Sequence, residues 1–120
     1  MKKHLFLSII VASSTALFAS GAMADSADGA KLFKKKCGAC HKLGKHAMGP
    51  NLAGVIGRKA GSTDYKKYKG LKDADFVWNE DNLSDWLENP KKFIGKKTSM
   101  AGKIKKEDDR DTIIEYLKTL

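Results

Sequence analysis

"KKKCGACHKLG", residues 34–44, holds both cysteines of the chain, Cys37 and Cys40, with His41 directly after the second. Three chemistries use such a string. Exported proteins do pair cysteines, but a catalytic dithiol expects a βαβ surround that this sequence lacks. Structural zinc needs four ligands, usually as two pairs of Cys or His, and His46 is the only further histidine after residue 24. Haem attachment is the third. Two thiols at this spacing can add to the two vinyl groups of one porphyrin, while the adjacent histidine reaches the iron. That reading wins, and it supplies a large apolar disc around which a short chain can build a core.

Upstream of the motif, Lys2, Lys3 and His4 precede an apolar stretch from Leu5 to Ala19, and Ala22-Met23-Ala24 follows with small-x-small spacing. This is the pattern of a secretory signal peptide. The apolar stretch is shorter than the roughly 20 residues of a membrane-spanning helix. Cleavage after Ala24 is expected, with an uncleaved anchor as the alternative. Residues 25–120 then form one domain exported to a bacterial periplasm. No later apolar run suggests stable membrane insertion, and no internal repeat is visible.

Charge narrows the partners. Two of the 23 Lys and Arg lie in 1–24, leaving 21 against 14 Asp and Glu, a formal +7. Such an excess favours an acidic partner, and export argues against nucleic acid.

Three helices can be read. The first is expected from Asp28 to about Ala39, with Ala30, Phe33 and Cys37 at helical spacing and Ser26 or Asp28 as cap. The second covers 80–89, capped by Asn79, burying Leu83, Trp86 and Leu87, and stopped by Pro90. The third runs from about Lys106 to Leu120. Glu107, Asp108 and Asp109 suit its positive end, and Ile113, Ile114, Leu117 and Leu120 form its apolar stripe. Between the first two lies a Gly-rich stretch from Gly44 to Asp75, with no alternation long enough for a sheet. The fold expected is all-α with long loops, and so long a loop in so small a domain needs something to wrap around.

An electron carrier fills both axial positions of its iron. Met48 lies only seven residues after His41, too close to reach the far face of the ring, and reads as a loop methionine at the haem margin. Met100, in "GKKTSMAGK", is far enough along the chain to close over that face. It is the expected second ligand.

With these residues in place, the chain resembles class I cytochrome c, above all the bacterial cytochrome c₂ group and its mitochondrial relatives. "DGAKLFKKKCGACH" looks like the family's first helix, with Gly29 and Phe33 packing on the last. "GPNLAGVIGRKAG" (49–61), "WLENPKKFIGKKTSM" (86–100) and "IIEYLKTL", with Tyr116 at a packing position, extend the likeness to nearly all of 25–120. The resemblance implies three main helices and long loops around one covalently bound haem c. It also implies that the Pro50 carbonyl accepts from the His41 ring, and that Arg58, Tyr68 and Trp78 supply donors to the propionates. Thr98 either meets a propionate or shapes its loop, and His46 is a structural loop histidine. Trp86 stands where many relatives have a tyrosine whose hydroxyl approaches the methionine sulfur. Two departures stand out. Met100-Ala101-Gly102 lacks the usual aromatic two residues after the ligand, and the loop before Met100 has Gly95 without its usual proline, with one extra residue.

The function implied is that of a soluble, monomeric, single-electron carrier. Its iron would cycle between Fe(II) and Fe(III), moving electrons from a bc-type complex to a terminal oxidase or photosynthetic reaction centre through their acidic docking faces. A haem peroxidase or a gas sensor is the rival. Either would leave one axial position open, which Met100 argues against.

Overall fold

The computed structural model describes the backbone of residues 21–120 and the side chains of 27–120. Helix α1 is Gly21–Lys36, α2 Glu80–Glu88, α3 Pro90–Ile94 and α4 Glu107–Leu117. Among the described residues the β content is one isolated bridge, Lys59 to Val77. The expected signal segment, 1–24, lies outside the described residues apart from 21–24, which open α1.

Helix α1 begins and ends earlier than the 28–39 expected. Ala22, Met23, Ala24 and Ala27 favour helix, so Ser26 and Asp28 lie inside it rather than capping it. At its other end the Cys37 and Gly38 amides both donate to the Phe33 carbonyl, at 2.7 and 3.0 Å. The Cys40 and His41 amides then share the Cys37 carbonyl, at 3.1 and 2.8 Å. Doubling of amides on one carbonyl ends the helical register and sets the attachment motif in a tight turn.

Helix α2 is capped as expected. The Asn79 side chain accepts from the Asn82 amide at 2.9 Å, and the Asn82 side chain accepts from the Asn79 amide at 2.8 Å. This capping box uses Asn in place of the usual Glu or Gln. Pro90 does more than stop α2. Asn89 closes α2 and caps α3, whose first residue is Pro90. A proline needs no hydrogen bond at that position and brings a preset φ, so the expected stop doubles as a start. Gly95, in the left-handed region at φ 69°, ends α3.

Helix α4 opens on Glu107, Asp108 and Asp109 and buries Ile113, Ile114 and Leu117, as its pattern predicts. Leu120 does not join the stripe. The helix ends at Leu117, and Leu120 is 39 % exposed. The sequence pattern also missed Arg110, buried in the first turns of α4 at 8 % exposure.

The crossing of α1 and α4 rests on Gly29 and Phe33. A Cβ at Gly29 would lie 2.6 Å from Tyr116 Cβ and 3.0 Å from the Thr112 carbonyl oxygen. One turn on, the Phe33 and Tyr116 rings meet at 5.7 Å. Alanine is the better helix former by about 1 kcal/mol, yet here a methyl group would force the helices apart. Gly29→Ala is expected to lower stability by about 1–3 kcal/mol, the usual range for overpacking. The urea midpoint of the haem-loaded protein checks this; an unchanged or higher midpoint would mean the crossing has room to spare.

The long loop closes against α2 and α3. Its bridge is flanked by Gly57 N–H to Trp78 O (2.8 Å), Trp78 N–H to Arg58 O (2.9 Å) and Ala60 N–H to Phe76 O (2.9 Å). Phe76, Trp78, Trp86 and Phe93 form an aromatic cluster, with Phe76 edge-on to Trp78 at 4.9 Å and Trp78 edge-on to Trp86 at 5.5 Å. That cluster joins the loop to the segments before and after Pro90.

Candidate functional site

The turn after α1 gives the two thiols different surroundings. Cys37 is buried in the core and Cys40 is exposed, and they are not bridged. Burial first, and Cys40 second, push the Cys37 thiol up to about 11. A working redox dithiol needs a stabilised thiolate, so its buried member sits in the wrong environment.

His41 is buried, and its Nδ1–H donates to the Pro50 carbonyl at 2.9 Å, the partner implied by the resemblance. The carbonyl can only accept, so Nδ1 carries the proton and Nε2 keeps its lone pair. Burial lowers the His41 pKa, with the Pro50 bond pulling the other way. The ring is thus held neutral, oriented and ready to ligate through Nε2. Gly49 lets the backbone lie against it: a Cβ there would fall 2.4 Å from His41 Cε1. His46 is committed elsewhere. Its Nδ1 accepts from the Asn51 amide at 3.0 Å and its Nε2 meets Asp64 Oδ1 at 2.5 Å, a bridge between loops.

Met100 is half-buried against the core. The Trp86 indole N–H donates to its Sδ at 3.2 Å, so tryptophan delivers the donor that the resemblance assigns to tyrosine. Thr98 Oγ1 accepts from the Met100 amide at 3.3 Å and shapes the loop. A thioether has two lone pairs, and this contact leaves one available. Met48 departs from the packing expected of it: the residue is 73 % exposed, and its carbonyl accepts from the Tyr65 hydroxyl.

The three expected propionate donors are in unequal states. Arg58 spends Nη2 on the Asn51 carbonyl (2.9 Å) and Nη1, at the long limit of 3.5 Å, on Ala53. The Tyr68 hydroxyl pairs with Thr63 Oγ1. Trp78 is 5 % exposed, and its indole N–H has no acceptor among the described residues. No buried side-chain nitrogen or oxygen among the described residues lacks a partner, so this unspent N–H lies open to the surface, where a carboxylate of the bound group fits it.

A haem fits these residues. It needs two thiols, a neutral histidine with a free Nε2, a thioether and an unspent donor, and all are present. Leu52, Ile56, Ile94 and Met100 pack on the core yet remain only partly buried, which leaves apolar surface for a flat apolar group to cover.

Comparison with known proteins agrees. The cytochrome c family model matches residues 26–120. Cytochrome c of Theileria annulata is 49 % identical over 98 residues, covering 78 % of this chain and 84 % of that protein. Cytochrome cH from Methylobacterium extorquens superposes with a TM-score of 0.73 at 39 % identity, covering 80 % of this chain and 99 % of its own. The ferricytochrome c2 of Rhodopseudomonas palustris gives 0.72 at 35 %, with coverage of 80 % and 98 %. With the match running from Ser26 to the last residue across the motif, the histidine turn and the methionine loop, the chain belongs to the cytochrome c family: class I fold, one covalently attached haem c, and the transfer of electrons in place of enzymatic catalysis.

Proposed function

We propose that Cys37 and Cys40 hold the haem by thioethers, that His41 and Met100 are its axial ligands, and that the protein is a soluble, monomeric, single-electron carrier in a bacterial periplasm. The haem supplies the redox couple, one electron moving between ferrous and ferric iron. The observation that carries the reading is the pair of oriented ligands: His41 fixed by Pro50, and Met100 sulfur fixed by Trp86.

Each residue has a task. The Pro50 carbonyl raises the basicity of His41, and Met/His ligation raises the potential. Holding both ligands in a packed wall keeps rearrangement small when charge changes. Trp78 gives its indole N–H to a propionate; Arg58 holds the Asn51 carbonyl, Tyr68 pairs with the Thr63 hydroxyl, and Thr98 holds the loop. Export rests on the leader-like segment 1–24, and the exposed lysines on either side of the ligands favour acidic docking faces. A bc-type complex as donor, and an oxidase or photosynthetic reaction centre as acceptor, complete the reading.

The visible spectrum of the oxidised protein tests the ligands. A weak band near the red end is expected from the iron–sulfur bond, with no ready binding of carbon monoxide by the reduced protein. Met100→Ala is expected to abolish the band and to bind carbon monoxide one-to-one. An oxidised spectrum without that band, or carbon monoxide binding before any substitution, would favour the open-site rival.

A further inference from the structure

Arg110 is a cation at 8 % exposure, and no ion pair among the described residues includes it. Its Nε donates to Ser84 Oγ at 3.0 Å, and its Nη1 donates to the Ile104 carbonyl at 2.9 Å and the Lys105 carbonyl at 2.8 Å. A buried charge is expensive unless its donors are met. A planar guanidinium can meet a hydroxyl on one side and two carbonyls on the other.

The carbonyls belong to the stretch that leaves Met100, and the hydroxyl belongs to α2. From the same helix, Trp86 donates to Met100 Sδ at 3.2 Å, and the Leu87 carbonyl accepts from the Ile104 amide at 2.8 Å. Ser84, Trp86 and Leu87 therefore anchor the methionine loop at three points, and Arg110 closes the first from α4. We propose that Arg110 is a positioning residue for Met100: it ties the exit of the loop to α2 and thereby keeps the sulfur on the indole and the iron closed to outside ligands. This rests on Met100 being an iron ligand, as proposed above.

An outside ligand can occupy the iron only in the fraction of molecules whose loop is open, so its apparent affinity reports that fraction. Imidazole binding to the oxidised, haem-loaded protein is the probe, titrated at neutral pH. Arg110→Lys keeps the charge and loses the fork; it is expected to tighten imidazole binding about tenfold. Ser84→Ala removes one anchor and is expected to tighten it about threefold. Gly29→Ala, which loosens the α1–α4 crossing and touches no part of the loop, is expected to leave it unchanged. If Arg110→Lys leaves imidazole affinity unchanged, or tightens it no more than Gly29→Ala does, the positioning role is overturned. Should Arg110→Lys fail to fold, Ser84→Ala decides: no tightening overturns the proposal. Met100→Ala separates this from the ligand assignment, for if it fails to tighten imidazole binding strongly, Met100 was never the ligand and both readings fall.

Discussion

A Cys37→Ala, Cys40→Ala double variant is expected to yield no folded protein. Domains of about this length sit near the limit of what an unaided core can stabilise. Their whole margin is about 5–15 kcal/mol. Here the proposed thioethers would hold the group against which the partly buried Leu52, Ile56, Ile94 and Met100 complete their burial. Without it, ordering the loop from Gly44 to Asp75 still costs about 1–2 kcal/mol of backbone entropy per residue. Too little apolar contact is left to offset that. The single variants should differ, because Cys37 is buried and Cys40 exposed. Cys40→Ala should still anchor the haem through Cys37 and retain part of its yield, whereas Cys37→Ala also opens a cavity in the core. Haem-loaded yield, acid extraction of the haem and near-ultraviolet circular dichroism check these outcomes. A double variant that stays folded, unfolds cooperatively and presents free thiols would show that the polypeptide builds its core alone.

How much of this was legible in the residues depended on how local the governing physics is. Cys37, Cys40 and His41 act through spacing along one short segment, and Asn79 caps through contacts three residues away, so both could be read directly. Gly29, Phe33 and Tyr116 act across two distant helices. Periodicity marked Phe33 as an apolar position, but only the likeness to a known pattern revealed Gly29 and Tyr116 as its partners in the crossing. Helix α3 stayed hidden because a proline after a helix looks like an end, and only the conformation of Asn89 shows that it also begins another helix. Arg110 stayed hidden for a different reason. A lone arginine among acidic neighbours on α4 reads as solvated surface, and its burial follows from where the Ile104 and Lys105 carbonyls come to rest. Trp86 was legible as a position and illegible as a contact: the substitution for tyrosine left the donor uncertain until the indole was seen 3.2 Å from sulfur.

The rate of electron transfer with a membrane partner is expected to fall steeply, by tenfold or more, between about 0.01 and 0.1 M salt. Screening shortens the Debye length over that range from about 30 to about 10 Å, and steering can change association rates by about 10–10³. The charges that would do this are in the open. Lys34, Lys35, Lys36, Lys42 and Lys45 around the attachment turn are all exposed. So are Lys91, Lys92, Lys96, Lys97, Lys103, Lys105 and Lys106 around Met100. Five of the fourteen acidic residues, Glu80, Asp81, Glu107, Asp111 and Glu115, line a groove between α2 and α4. A chain with its positive charge near the ligands and negative charge near that groove can be turned, before contact, so that the haem side leads toward an acidic face. In a small and brief interface such charge sets the encounter rate more than the affinity. Reversing Lys35 and Lys97 to Glu should therefore slow the low-salt reaction several-fold and flatten its salt dependence. Reversal of Lys118 is the contrast, because that side chain already pairs with Glu80 and Glu115 beside the acidic groove, and it should leave the slope close to the original. Stopped-flow rates across a salt series measure all three. Equal rates at both ends of the series would reduce the twelve lysines to solvating surface, and a Lys118 reversal that flattens the slope half as much as the double reversal would mean that overall net charge, rather than its placement, governs the encounter.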